Sequence, residues 1–183
     1  MTKRSLAVTN LCIGAIVCAL LGYAEVAGAG DLAALDKEYG FRGAHFGDGL
    51  EVLKGAKSVG ERGACERAYV RPSDKLEFDG VHLSGIEYSL QNGRLTVVSL
   101  LAAPEACPKL YAALTRAYGE DGSKQAAAVA AQAFWTATWT GERVRMDVVG
   151  PTGCTVTITA PEEAILEERQ CREDDRLDAG KGP

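Results

Sequence analysis

The chain has 183 residues, 25 acidic against 20 basic, a formal net charge of −5 and 46% hydrophobic side chains. That is enough apolar material for one domain with its own core. The acidic balance, with no basic stripe, argues against a nucleic-acid-binding face.

Residues 1–29 read as a secretory signal peptide. Lys3 and Arg4 form a basic n-region, Leu6 to Gly22 is apolar and uncharged, and Ala27-Gly28-Ala29 supplies a small-x-small cleavage site. Cys12 and Cys18 lie inside this segment, but Val17 is too large beside the bond that a lipoprotein signal would cleave. The expectation is a soluble periplasmic or secreted protein with no membrane insertion once the signal is removed. Residues 30–183 keep four cysteines, Cys65, Cys107, Cys154 and Cys171, an even set that suits two disulfides in an exported chain.

From Asp31 to Tyr39 a short amphipathic stretch carries Leu32 and Leu35 on one side. Glycines bracket a short strand anchored by Phe41 and Phe46, and Asp48 with Glu51 has capping-box spacing for a one- or two-turn helix. Cys65 to Arg71 reads as a strand stopped by Pro72. A second strand, 75–78, meets 81–83 through an Asp79-Gly80 turn, which pairs Phe78 with Val81 and Leu76 with Leu83.

Ile86 to Leu101 is the strongest element. Asn92-Gly93 fits a type I′ turn, so strands 86–91 and 94–101 pair with Gln91 opposite Arg94 and Leu90 opposite Leu95. Carried on without interruption, that register sets Tyr88 against Val97 and Ile86 against Ser99. One face is then apolar and calls for a covering helix. Helix 108–118 supplies it: Leu110, Ala113, Leu114, Ala117 and Tyr118 form one apolar stripe, Pro108 suits N1 and Gly119 suits C′.

Gln125 to Gln132 is Ala-rich and ambiguous, with helix propensity but few large side chains. Strands 134–140 and 143–149 follow, joined at Gly141-Glu142 in a type II′ turn that sets Trp139 against Val144, Ala137 against Met146 and Trp135 against Val148. In strand 154–160, Cys154, Val156 and Ile158 point one way and Thr155, Thr157 and Thr159 the other. A final helix, 161–170, opens with acids at its positive end and is anchored by Ile165 and Leu166. Eight acids and three arginines lie between Glu162 and Asp178, and 173–183 reads as a disordered acidic tail. The architecture is thus a single α+β domain over 30–172, a mostly antiparallel sheet of hairpins with two main helices packed on one face.

Chemistry is hard to find. Gly55-Ala56-Lys57-Ser58 fails as a phosphate loop because its Lys does not directly follow the Gly. There is no G-x-S-x-G elbow, and His82 two residues before Ser84 on a strand makes no triad. The two histidines, His45 and His82, have no spaced partner, so no metal is implied. The cysteines lack C-x-x-C spacing and read as structural. Glu162-Glu163 and Glu167-Glu168 lack the apolar setting that raises a catalytic carboxyl. No cofactor is implied.

What remains are binding candidates: Arg42, His45 and Arg71, which would mark an enzyme if a deep pocket gathered them, and Trp135 and Trp139, core residues or an aromatic platform according to whether their face is open. The leading expectation is a non-catalytic module that binds a protein or an envelope component. The alternatives are a secreted inhibitor or immunity-type protein acting on a periplasmic hydrolase, and an enzyme with an unrecognised site. Four cysteines allow three connectivities. A strand of about seven residues from Cys154 advances about 23 Å, and a helix doubling back about 15 Å from Pro161 would bring Cys171 to the Cys154 side. Chain direction therefore leans to Cys154–Cys171 with Cys65–Cys107.

The set Gly40-Phe41-Arg42-Gly43…Phe46-Gly47, Tyr69…Arg71-Pro72…Asp74-Lys75-Leu76 and Ile86-Glu87-Tyr88…Gly93-Arg94-Leu95, with Tyr118-Gly119 and Trp139-Thr140-Gly141, resembles a family of small uncharacterised exported bacterial proteins. The resemblance covers most of the chain after the signal. It implies an exported α+β domain and no established activity. The Ala-rich stretch and the four cysteines depart from it.

Overall fold

The Asn92-Gly93 turn forms as the residue pair dictates, with φ of 49° and 79°. It joins β7 (Gly85–Gln91) to β8 (Arg94–Ala102) at the middle of an eight-stranded antiparallel sheet. The structure, a computed structural model, describes residues 32–63, 65–120, 123–129, 132–150 and 153–179, so the signal peptide expected at 1–29 lies outside the described residues. The remaining strands of the sheet are β3 (Lys57–Glu61), β4 (Glu66–Val70), β9 (Ser123–Val129), β10 (Gln132–Thr140), β11 (Arg145–Gly150) and β12 (Cys154–Thr159). Their order is β3-β4-β7-β8-β12-β11-β10-β9. Two four-stranded meanders therefore meet at the β8–β12 seam. Small hairpins β1 (Gly40–Phe41) with β2 (Ala44–His45), and β5 (Glu77–Phe78) with β6 (Val81–His82), lie outside the sheet.

Three helices complete the α+β fold: α1 (Leu32–Glu38), α2 (Cys107–Tyr118) and α3 (Pro161–Ala179). As its stripe predicts, α2 buries Leu110, Ala113, Leu114 and Tyr118, and Gly119 closes it at φ 85°. Leu35 of α1, Phe41, Phe46, Leu53 and the α2 stripe share one core with Ile86, Tyr88, Leu90, Leu95, Val98, Leu100, Trp139, Met146, Val148, Val156 and Ile158. The inward residues of the long strands and of α1 and α2 thus build a single layer on one side of the sheet.

Several expectations are corrected. Leu90 does pair with Leu95, but Ser89 then pairs with Val97 and Tyr88 with Val98, because Thr96 is an extra residue. The bulge turns Val98, Leu100 and Ala102 inward and leaves Val97 half-buried on the other face. The run Val97-Val98-Ser99-Leu100-Leu101 becomes consistent with a half-buried strand only after that shift. Between β10 and β11 the connection is four residues rather than two, so Trp139 faces Met146 and Ala137 faces Val148. A shift of two residues keeps every side chain on its expected face. The carboxylate of Asp36 enforces the longer turn by accepting the N–H groups of Glu142, Arg143 and Val144 at 2.6, 2.8 and 2.8 Å.

Residues 125–129 of the Ala-rich stretch lie in strand β9, which pairs along β10 from Ser123 to Val129, and Gln132 opens β10. Ladder hydrogen bonds at the sheet edge override a weak helix propensity there. Asp48 does not cap a helix: it accepts the His45 N–H at 2.8 Å, and Gly49 precedes a single 3-10 turn, Leu50–Val52.

Helix α3 runs to Ala179, past the boundary where a tail was expected to begin. Ile165 and Leu166 do not anchor it; they are 48% and 57% exposed. Glu163, Ala164, Glu167 and Cys171 form its inward side, the spacing of one helical face.

The disulfides are Cys65–Cys171 and Cys107–Cys154, with Cα separations of 6.0 and 5.3 Å, and not the pairing that chain direction favoured. Cys154 lies opposite Ala102 at the end of β8, where α2 begins with Cys107. Helix α3 does not double back along β12. It crosses the far end of the sheet, where Asn92 Nδ2 donates to the Glu167 carbonyl at 2.7 Å and the Asn92 N–H donates to the Cys65 carbonyl at 2.9 Å. Cys171 therefore arrives beside Cys65. Two disulfides are consistent with an oxidising compartment.

Candidate functional site

The sheet leaves one of its faces without a helix among the described residues. Pairing across β7, β8, β12, β11 and β10 aligns its outward side chains in rows. The central row is Glu87, Ser99, Thr157, Asp147 and Thr138. On one side of it run Ser89, Val97, Thr159, Arg145 and Thr140, and on the other Gly85, Leu101, Thr155, Val149 and Thr136. All of these residues are half-buried or exposed. Period-2 alternation in five strands produces the surface, and the helices on the opposite side leave it open.

Most of these groups are short hydroxyls, each both donor and acceptor. The charges on the face are already paired. Arg145 Nε donates to Asp147 Oδ2 at 2.7 Å, and Arg62 Nη2 donates to Glu87 Oε2 at 2.7 Å. Burial pulls the Asp147 carboxyl up, but hydrogen bonds from Arg145 and Thr138 and the Arg145 charge leave it below its ordinary range. Five strands span about 19 Å across the sheet. The result is an open, nearly neutral surface made mostly of short hydroxyl side chains.

The other candidates lie elsewhere. Arg71 and Arg42 do come together, but as structure. Arg71 Nε donates to Asp74 Oδ1 at 2.7 Å, and its Nη2 donates to Tyr88 Oη at 3.1 Å and to the Arg42 carbonyl at 3.3 Å. Tyr88 Oη donates to Asp74 Oδ2 at 2.6 Å. Both carboxylate oxygens and the guanidinium are thereby engaged. Burial, and then the Asp74 hydrogen bond and charge, push the Tyr88 phenol far up, so it keeps its proton and cannot act as a base. Arg42 donates to the Lys75 and Glu77 carbonyls. Together these bonds fasten segment 71–78 to the sheet.

His45 is exposed and sits against Asp48, with Nδ1 3.5 Å from Oδ2. The cavity beside Arg71, about 260 Å³ and lined mainly by Val70, Pro72, Leu76 and Ile86, includes neither Arg42 nor His45. No deep pocket gathers the three.

The tryptophans do not form a platform. Trp139 is fully buried and donates its Nε1–H to the Gly119 carbonyl at 2.8 Å. Trp135 is half-buried on the same inner face, edge-on to Tyr111 with centroids 5.3 Å apart. The four cysteines are all in disulfides. Among the described residues no group of three or more His, Cys, Asp or Glu side chains is placed to hold a metal ion, and no helix is long and apolar enough to cross a membrane.

Alternation in the sequence marked Thr155, Thr157 and Thr159 as a face, but no residue type there signals recognition. No protein-family model, curated protein or solved structure matches the chain.

Proposed function

We propose that this protein is an exported, non-catalytic recognition module that binds another protein on the uncovered face of its sheet. The observation that carries the reading is the set of three aligned rows across five strands, backed on the other side by the whole core. A surface of Thr and Ser loses little rotamer freedom when covered, and its hydroxyls can satisfy either sense of hydrogen bond. A rigid scaffold keeps the cost of binding low. The polar groups that could have served an enzyme, Arg42, Arg71, Asp74 and Tyr88, are occupied in holding the fold. Two disulfides suit service outside the cytoplasm, in the periplasm or beyond the cell.

The test is affinity capture from an envelope extract with tagged residues 30–183, in parallel with a Ser99→Lys/Thr157→Lys variant. Both positions face outward at the centre of the sheet, so the variant keeps the core intact. The expected result is one stoichiometric protein partner, lost with the variant while its circular dichroism and melting stay close to wild type. Equal capture by both proteins, or no partner together with a turnover activity in the purified protein, would overturn the reading.

A further inference from the structure

We infer that the Cys65–Cys171 disulfide is a reducible latch that holds α3 against the sheet, while Cys107–Cys154 is a permanent part of the core. The two bridges differ in setting. Cys107 and Cys154 are each 1% exposed and belong to the hydrophobic cluster. Cys65 and Cys171 are only half-buried and lie outside it. Thiol–disulfide exchange needs a thiolate to reach a sulfur, so access separates the two.

The helix that the outer bridge holds is unusual. From Pro161 to Glu173 no side chain of α3 is fully buried, and none belongs to the core or packs against it. The large apolar residues of that span, Ile165 and Leu166, face solvent. The side turned to β7 and β8 is held by polar contacts: Tyr39 Oη donates to Glu163 Oε1 at 3.1 Å, and Asn92 Nδ2 donates to the Glu167 carbonyl and to its Oε2 at 2.7 and 3.1 Å. Bonds of this kind contribute little net stability where water can replace them. Beyond the chain itself at Ala160, the disulfide is thus the covalent tie between α3 and the body.

A dithiol opens the latch in two exchanges. One of its thiolates attacks Cys65 or Cys171, forming a mixed disulfide and expelling the other cysteine as a thiolate. Its second thiol then displaces the protein sulfur. Both cysteines end reduced by two electrons in all, and the reagent closes into its own disulfide. Release frees α3 from Cys65, which also lines a cavity of about 210 Å³ with Arg67, Tyr69 and Leu90.

Native protein treated with dithiothreitol, followed by alkylation and peptide mass spectrometry, tests the assignment. Cys65 and Cys171 should be alkylated while Cys107 and Cys154 stay bridged. Amide exchange over 161–179 should then accelerate roughly 30-fold or more, the scale of one lost cross-link, with the strands of the sheet unchanged. A Cys65→Ser/Cys171→Ser variant without reductant should show the same loosened helix on an intact sheet. Simultaneous alkylation of all four cysteines, an α3 that keeps its protection after Cys65–Cys171 is reduced, or failure of the double variant to fold would each overturn the latch.

Discussion

The carboxylate of Asp36 accepts the backbone N–H of Val144, 108 residues away in sequence, at 2.8 Å. The same carboxylate accepts the N–H groups of Glu142 and Arg143, so α1 holds the β10–β11 turn open. The contact is close at Gly141, where a Cβ would lie 2.4 Å from Asp36 Oδ2 and would push the carboxylate off the turn. Burial raises the Asp36 carboxyl, but the hydrogen bonds from Arg143, Glu142 and Val144 and the Arg143 charge outweigh it and leave the folded-state value lowered. A lowered folded value means that the ionised form stabilises the fold above the unfolded pKa of about 3.9. That stability is lost as pH falls through the folded value. Asp36→Ala should cost about 1–3 kcal/mol near neutral pH. In urea melts the gap between variant and wild type should shrink below pH 4 (about the unfolded value), and a gap independent of pH would contradict the argument.

Tyr88, Asp74 and Arg71 should behave as one unit. Tyr88→Phe leaves Asp74 Oδ2, on a side chain only 5% exposed, without its phenol donor. That should destabilise by about 1–3 kcal/mol. Asp74→Ala strands the Arg71 guanidinium, on a side chain 13% exposed, and should cost more, about 3–5 kcal/mol. Because the two residues bond each other, the double variant should lose less than the sum, with a coupling of roughly 0.5–3 kcal/mol in a denaturation cycle. Simple additivity would show that the network does not act together.

Local turn and helix chemistry made much of the fold legible. Asp79-Gly80 fixed its hairpin at the correct pair and Asn92-Gly93 fixed the pairs next to its turn, up to the bulge at Thr96, and Pro108 with Gly119 bounded α2 because each residue answers a local backbone demand. What escaped depends on contacts distant in sequence. The four-residue turn after Thr140 answers to Asp36, and the cysteine pairing follows the direction of α3, set by contacts at Asn92 and Tyr39. Ile165 and Leu166 looked like anchors because an apolar pair on a short helix usually is one. The uncovered face was legible in outline: alternation put the apolar side of β7 and β8 under helix α2 and the threonines of β12 on the other side, but no residue type there signals recognition.

Gly40 should tolerate no side chain. A Cβ there would lie 2.0 Å from the Ala44 carbonyl oxygen and 2.7 Å from the His45 Cα, both backbone atoms of the paired strand β2. A backbone neighbour cannot swing aside as a flexible side chain can. The strain would spread through Phe41 and Phe46, both core residues, and through the Phe46 N–H bond to the Tyr39 carbonyl at 2.9 Å. Gly40→Ala should cost about 2–4 kcal/mol. Gly43→Ala, where a Cβ meets nothing within 4 Å but φ is 76°, should cost less, from backbone strain alone. Thermal melts of the pair give the order, and a milder effect at Gly40 would place the fault in the hairpin geometry.

The two tryptophans should report their different settings in solution. Trp139 is fully buried and bonded to the Gly119 carbonyl, while Trp135 on the same face is half-buried and lies opposite Gly150, the last residue of β11. With two tryptophans in the chain, each single variant leaves one emitter. In Trp135→Phe the remaining Trp139 should emit at short wavelength and resist quenching by iodide, which does not enter a packed core. In Trp139→Phe the remaining Trp135 should emit further to the red and be quenched more readily. The stability costs should differ in the same sense. Trp139→Phe removes a buried N–H bond, leaves the Gly119 carbonyl without that donor and opens space between α2 and β10, so about 2–4 kcal/mol is expected. Trp135→Phe keeps an aromatic ring near Tyr111 and should cost about 1 kcal/mol or less. An easily quenched Trp139 would mean that this face of β10 opens in solution, and the aromatic platform would then return as a binding surface.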